Sequence, residues 1–137
     1  MRIGIGYDIH RIDSKRPLRL GGVLIPSAKG LVGHSDADVL LHAIADALLG
    51  AIGEPDLGEQ FPPTDPRYRN ADSRLFVRAA YAKVRRQGFV VGNIDATVIM
   101  DAPKLTPVKP AILQSISRLL EVAPSQVSVK AKTTEGF

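Results

Sequence analysis

The stretch from Gly33 to Ala51 constrains the fold of this chain most, because its side chains repeat with the period of a helix. Ser35 or Asp36 is expected to cap the first turn, where backbone N–H groups lack partners. Imidazoles alternating with carboxylates along one side of an otherwise apolar helix indicate a functional site. The expected buried stripe consists of Leu40, Ile44, Ala47, Leu48 and Ala51, and the polar side opposite it of His34, Asp38, His42 and Asp46.

The first ten residues alternate between two kinds of side chain, which predicts a β-strand. Asp8 and His10 would project from the same face of this strand. If His42 lies beside them, one carboxylate and two imidazoles form a ligand set suited to zinc, with one position left for water or substrate. From spacing alone, the pattern is also compatible with His10 and His42 as hydrogen-bonded core residues. Asp46 either orients the His42 imidazole or faces solvent.

The rest of the chain predicts strands alternating with helices, and therefore an α/β sheet in one domain over residues 1–137. Gly21 and Gly22 lie between short apolar runs and predict a β-hairpin. Residues 53–70 predict a long, turn-rich loop. Strands are expected over 89–100 and 127–132. One helix should begin at Asp72 or Ser73 and end at Gly88, with an inward stripe of Phe76, Val77, Ala80, Tyr81 and Val84; another should begin near Pro110, with Ile112, Leu113, Ile116, Leu119 and Leu120 inward.

Composition excludes several classes of function. The chain has no cysteine, so neither a disulfide framework nor a thiolate site is available. The net charge is +4, but the basic residues are dispersed and aromatic residues form only 5% of the chain, which argues against a nucleic-acid partner. Lys83, Arg85 and Arg86 are expected to form a solvated helix end. No signal pattern or membrane-spanning run is visible, so we expect a cytoplasmic protein without a membrane partner.

Five short motifs, read together, identify a resemblance to a known family. They are Asp8-Ile-His10, His34-Ser-Asp-Ala-Asp38 followed by His42, Asp56-Leu-Gly58, Ala102-Pro-Lys104 and Thr133-Thr134-Glu135. Each motif is weak alone, but their joint order over the whole chain closely resembles the 2-C-methyl-D-erythritol 2,4-cyclodiphosphate synthases of the non-mevalonate isoprenoid pathway.

The resemblance implies a fold and a reaction. The fold would be a single mixed β-sheet with helices packed on one face, plus a small β-hairpin, in a homotrimer whose active sites lie between neighbouring subunits. The enzyme would be a phosphorus–oxygen lyase that converts 4-diphosphocytidyl-2-C-methyl-D-erythritol 2-phosphate to the 2,4-cyclodiphosphate and CMP. The nucleophile would be the substrate's own phosphate, in agreement with a chain that offers no obvious nucleophile–base set.

The resemblance also implies roles for individual residues. Zinc, or another divalent transition metal, would bind Asp8, His10 and His42, and a second divalent ion (Mg²⁺ or Mn²⁺) at the diphosphate would bind Glu135. His34, Lys104 and Thr134 would be catalytic. The substrate would contact Asp8, His10, His34, Ser35, Asp56, Leu57, Gly58, Ala102, Pro103, Lys104, Leu105, Thr106, Thr133, Thr134 and Glu135, with residues 102–106 framing the cytidine pocket of a neighbouring copy.

One departure from the family pattern and two rival functions remain open at this stage. Family members continue beyond Phe137 through a turn and a further strand, so the strand that completes the sheet is expected to be missing from this chain. Asp38 and Asp65 are expected to have only structural roles. The rivals are a metal phosphohydrolase that uses the same ligands on water, and a non-enzymatic module whose metal is structural.

Overall fold

The computed structural model describes residues 1–13 and 15–137. Its helices are α1 (Val39–Ala51), α2 (Leu57–Gln60), α3 (Arg74–Arg86) and α4 (Lys109–Leu120), with 3₁₀ turns at Pro66–Tyr68 and Pro124–Gln126. The three longer helices lie where helical periodicity predicted them. The loop expected over 53–70 contains α2 and the first 3₁₀ turn, which sequence reasoning did not predict.

The strands form three two-stranded sheets in the described part of the chain. β1 (Ile12–Asp13) pairs with β4 (Gly30–Leu31), and β2 (Leu18–Leu20) with β3 (Val23–Ile25), both antiparallel. β5 (Ile94–Ile99) and β6 (Val127–Lys132) are parallel, with α4 crossing between them. The mixed α/β class and the hairpin are confirmed. The expected single mixed sheet is not found, because no ladder joins the three pairs.

Residues 1–10 are extended but do not form the predicted strand. A strand is defined by ladder hydrogen bonds, and no described segment pairs with this backbone. The predicted alternation is nevertheless present, since Ile3, Ile5, Tyr7 and Ile9 are each more than three-quarters exposed, whereas Gly6, Asp8 and His10 are partly buried. Sequence alternation thus predicted which side chains are exposed, but it did not predict whether another strand pairs with this backbone.

The core lies between α1, α3, α4 and the β2–β3 hairpin. On α3 all five predicted inward residues are buried. On α4 the residues Ile112, Ile116 and Leu120 are fully buried, while Leu113 and Leu119 pack at the edge of the core. No helix in residues 1–13 or 15–137 has the length and apolar character needed to cross a membrane.

Asp38, rather than Ser35 or Asp36, caps α1. Its side chain accepts a hydrogen bond from the Leu41 N–H at 3.0 Å. The same carboxylate accepts the N–H groups of Gly21 (2.9 Å) and Gly22 (2.7 Å), which have positive φ in the hairpin turn. Burial raises the pKa of Asp38, although these hydrogen bonds favour its ionised form. Asp38 therefore ties the hairpin to the start of α1 and does not face the predicted polar side.

Candidate metal centre

Three side chains predicted to ligate a metal meet at one point. Asp8 Oδ2 lies 2.8 Å from His10 Nε2 and 3.1 Å from His42 Nδ1, and the two ring nitrogens are 3.3 Å apart. Each residue offers one ligand atom to a space that a metal ion could fill. Asp8 and His10 come from the extended segment before β1, and His42 from the first turn of α1, as the sequence indicated.

The outward-facing nitrogen of each imidazole also has a partner. His10 Nδ1 lies 2.7 Å from the Val32 carbonyl oxygen, which can only accept, so Nδ1 carries a proton, and in the neutral ring Nε2 is left with the lone pair that a metal ion would bind. His42 Nε2 lies 2.8 Å from Ser73 Oγ and 3.2 Å from Ser35 Oγ. Rings held from behind in this way are typical of metal-ligating histidines.

The chemistry of the three donors fits a divalent cation. The hydrogen bond to Asp8 raises the pKa of His10, although burial opposes this. Burial would raise the pKa of Asp8, but hydrogen bonds from His10 and His42 together with their charges hold it well below its usual range. A centre that favours positive charge between a carboxylate and two imidazoles suits zinc or a similar transition metal.

Close backbone packing places Asp8 and His10 beside α1. A Cβ atom added to Gly6 would overlap the Ala43 carbonyl oxygen, and one added to Gly4 would overlap that of Ala47. Only glycine permits this approach of the extended segment to the helix backbone. Glycine at these alternate positions therefore sets the separation between the two halves of the ligand set.

The other predicted residues near the metal centre occupy separate positions. His34 precedes α1 and its Nε2 donates to the Asp65 carbonyl oxygen at 2.9 Å, while the buried Ser35 hydroxyl faces His42 and Ser73. Asp46 accepts the Leu57 N–H at 2.8 Å. The predicted row of His34, Asp38, His42 and Asp46 along one side of a helix is therefore wrong, because α1 begins only at Val39. Asp46 neither orients the His42 imidazole nor simply faces solvent. It tethers the start of α2, where Asp56 is the cap and accepts the Glu59 N–H.

A second group of predicted residues lies where β5 and β6 end. Asp101 accepts hydrogen bonds from the Thr134 N–H and hydroxyl, both at 2.7 Å, and so joins the segments that follow the two strands. The Thr133 hydroxyl lies 3.1 Å from a Glu135 carboxylate oxygen. Lys104 and Thr106 are exposed, whereas Leu105 is buried. The carboxyl ends of parallel strands are a common place for ligand binding.

Among residues 1–13 and 15–137, no hydrogen bond connects Asp8, His10, His34, Ser35 or His42 with residues 101–106 or 133–135.

Sequence reasoning missed two features beside the metal centre. The sequence marks Asp36 and Ser73 only as possible helix caps, yet Ser73 lies directly behind His42, and Asp36 is hydrogen-bonded to Ser73. A cluster of aromatic rings also packs here: Phe76 lies 5.8 Å from the His42 ring and 5.0 Å from Phe61, with Tyr68 against both phenylalanines. The apolar spacing on α3 marked Phe76 as a core residue, but nothing in the local sequence indicated its contact with His42.

Comparison with known proteins gives one consistent result. The model of the YgbB family matches residues 1–137. A protein from Ralstonia pickettii named 2-C-methyl-D-erythritol 2,4-cyclodiphosphate synthase is 53% identical to this chain, and the match covers 98% of this chain and 80% of that protein. A protein of the same name from Moorella thermoacetica is 54% identical, and the match covers 100% of this chain and 84% of that protein. A solved structure of a synthase of the same name, in a form with CDP bound, is 42% identical with a TM-score of 0.92, and the match covers 99% of this chain and 91% of that one.

Proposed function

Because this chain belongs to the YgbB family, we propose that it converts 4-diphosphocytidyl-2-C-methyl-D-erythritol 2-phosphate to 2-C-methyl-D-erythritol 2,4-cyclodiphosphate and CMP. The observation that carries the proposal is the meeting of Asp8, His10 and His42 at one point. Relatives that carry the synthase name match nearly all of this chain, and that agreement supports the same reaction.

The reaction is an intramolecular phosphoryl transfer that consumes no water. An oxygen of the 2-phosphate forms a bond to the β-phosphorus, the bond between the β-phosphorus and the bridging oxygen breaks, and CMP leaves with that oxygen. The attacking phosphate is anionic near neutral pH, so the protein needs neither its own nucleophile nor a strong base. Its task is to hold two anions in line and exclude alternative geometries.

We assign zinc, or another divalent transition metal, to Asp8, His10 and His42. When bound, the ion neutralises charge on phosphoryl oxygens and aligns the attacking and leaving groups. A second divalent ion, Mg²⁺ or Mn²⁺, is proposed at the diphosphate with Glu135 as its ligand. The exposed Glu135 carboxylate at the end of β6 is compatible with a hard, oxygen-preferring cation.

The remaining assignments divide the substrate between the two residue groups. Near the metal centre, His34 and Ser35 would contact the phosphate and polyol end, and Asp56, Leu57 and Gly58 would hold the methylerythritol unit. At the end of β5 and β6, residues 102–106 would frame the cytidine, with Lys104 offsetting phosphate charge as a point cation. Thr133 and Thr134 would lie beside the phosphates, and Thr134 is already oriented by Asp101.

We further propose that the working enzyme is a homotrimer whose sites form between adjacent copies. Two observations support this assembly. No hydrogen bond joins the two groups among the described residues, and the alternating row Ile3, Ile5, Tyr7 and Ile9 exposes its apolar side chains. A row of this kind marks an interaction surface more often than a solvated one.

Product analysis tests the proposed reaction. Zinc-loaded protein with Mg²⁺ and the CDP-linked substrate is expected to give CMP and a cyclic diphosphate. ³¹P NMR identifies both products. A linear phosphate without the ring would favour the rival phosphohydrolase. Absence of CMP from folded, metal-loaded protein would overturn the proposal. Calorimetric scans with and without a chelator address the structural-metal alternative, since removal of a structural ion would unfold the protein.

A further inference from the structure

We propose that Ser73 and Asp36 are positioning residues for His42, which fix the proton on Nε2 so that Nδ1 is free to bind the metal. The inference rests on the proposed function only in taking Asp8, His10 and His42 as metal ligands. It concerns two residues to which the sequence analysis gives no role other than helix capping.

The three groups form a continuous chain of hydrogen bonds. His42 Nε2 lies 2.8 Å from Ser73 Oγ, and the Ser73 hydroxyl is bonded to Asp36 Oδ1. The other Asp36 oxygen, Oδ2, accepts the Ser73 N–H at 3.0 Å, so carboxylate and serine are joined twice. Ser73 is completely buried, and a buried hydroxyl with no partner would be costly.

The direction of the chain follows from what each group can do. Asp36 also accepts the Asp38 N–H at 3.1 Å, so it acts as an acceptor on every side that the structure describes. An ionised carboxylate has no proton to give, and the Ser73 hydroxyl therefore donates to it. Ser73 Oγ is left with its lone pairs for the Nε2–H of His42. The ring nitrogen on the opposite side, Nδ1, is then left in the neutral ring with the lone pair that a metal ion would bind.

An ordinary capping role does not account for the Ser73 side chain. Ser73 occupies the N-cap position of α3, where a serine oxygen commonly accepts a backbone N–H from the first turn. Here the side chain makes no capping hydrogen bond. Its hydroxyl is directed instead at His42 and Asp36, and Asp36 lies 37 positions earlier in the sequence.

The two histidines are held in different ways, and this gives the proposal its test. The backbone carbonyl of Val32 fixes the proton of His10, and no side-chain substitution removes that oxygen. The Ser73 hydroxyl, the nearer of the two hydroxyls at His42 Nε2, does the same for His42 and can be removed. Loss of such outer partners weakens metal affinity about 10–100-fold in other metalloproteins.

The test compares zinc affinity, by competition with a chromophoric chelator, in Ser73→Ala and in a matched control. Ser117→Ala is the control, because Ser117 is also buried and its hydroxyl donates to the Gln114 carbonyl oxygen within α4. We expect Ser73→Ala to weaken zinc binding about 10–100-fold, Ser73→Thr to recover most of the affinity, and Ser117→Ala to match the parent. Affinity of Ser73→Ala within twofold of the parent would overturn the proposal.

A spectroscopic readout separates positioning from a general loss of structure. Long-range ¹H–¹⁵N correlations of zinc-loaded, ¹⁵N-histidine-labelled parent should show the His42 proton on Nε2. If Ser73→Ala does not fold, Asp36→Asn takes its place and should weaken zinc binding several-fold; unchanged affinity there counts against the proposal. If the parent binds zinc as expected but releases no CMP, the proposed reaction is contradicted and this inference is not.

Discussion

The metal centre and the end of the β5–β6 pair differ in how completely one chain prepares them. At the metal centre all three candidate ligands are largely buried, and both histidines have a partner behind the ring. At the end of β5 and β6, Lys104, Thr133 and Glu135 are exposed, and the main link is from Asp101 to Thr134.

The difference indicates which task each region performs alone. A site that must bind a cation tightly needs its donors fixed in advance, because ordering them at the moment of binding costs free energy. A pocket for the nucleotide end of a substrate needs less preparation if a second copy supplies its other wall. The metal centre is therefore the self-sufficient region, and the β5–β6 end is the region expected to depend on assembly.

The largest effect is expected from removing a ligand at the metal centre. His10→Ala leaves two donors, so zinc should be lost on dialysis and the rate of CMP release should fall about 10³-fold, since a catalytic metal supplies several kcal/mol and each 1.4 kcal/mol is tenfold. Zinc content by mass spectrometry and CMP by chromatography check this. Arg78→Ala on the exposed side of α3 is the control. Undiminished activity of zinc-free His10→Ala would remove the metal centre from the mechanism.

A substitution at the other region should leave the metal in place. Lys104→Ala removes an exposed cation, and we expect kcat/KM to fall about 10–100-fold, the loss typical of a charged hydrogen bond, with zinc content unchanged. Zinc loss in this variant would contradict the separation of the two regions.

Mixing the two impaired variants tests whether one site is built from two copies. When equal amounts of His10→Ala and Lys104→Ala subunits are refolded together, random assembly should return intact sites to about a quarter of the total, because a head-to-tail interface takes one group from each neighbour. Activity that stays at the level of the separate variants would place both regions of a site in the same chain.

The sequence predicted those features of the fold and of the candidate site that depend on neighbouring residues. Alternation over residues 1–10 placed Asp8 and His10 on one face, and helical spacing predicted all five buried residues of α3. These features depend on local periodicity, which the sequence states directly.

What the sequence could not predict depends on contacts between distant segments. Ser73 reads as a helix cap from its neighbours, and its place behind His42 follows only once α3 packs on α1. The resemblance implied one continuous sheet, but pairing requires a partner strand, and the backbone of residues 1–10 has none among the described residues. Helical spacing predicts that Asp38 lies on the polar side of α1. Its hydrogen bonds to Gly21 and Gly22 in the hairpin come from a distant segment, so local spacing does not predict them.

A smaller effect should follow from disturbing the close packing that sets the ligand spacing. Gly6→Ala would place a methyl group against the Ala43 carbonyl oxygen, and overpacking of this kind lowers the free energy of unfolding by about 1–3 kcal/mol. Zinc affinity should fall as well, because Asp8 and His10 are displaced from His42. Gly92→Ala is the matched control, since nothing lies within 4 Å of its added Cβ. Urea titration of both variants decides the point, and equal stability would mean that the extended segment adjusts freely.

The smallest effect is expected where the metal centre connects to the proposed substrate loop. Asp46 is one helical turn beyond His42 and accepts the Leu57 N–H, so it links α1 to the segment that contains Asp56 and Gly58. Asp46→Ala removes this acceptor, and the loss of one hydrogen bond, about 0.5–1.5 kcal/mol, should raise KM about two- to tenfold. Asp46→Asn keeps an acceptor oxygen and should stay near the parent value. Because zinc affinity depends on His42 and not on α2, it should be equal in both variants; a drop in Asp46→Ala would show that the loop and the metal centre are coupled through α1.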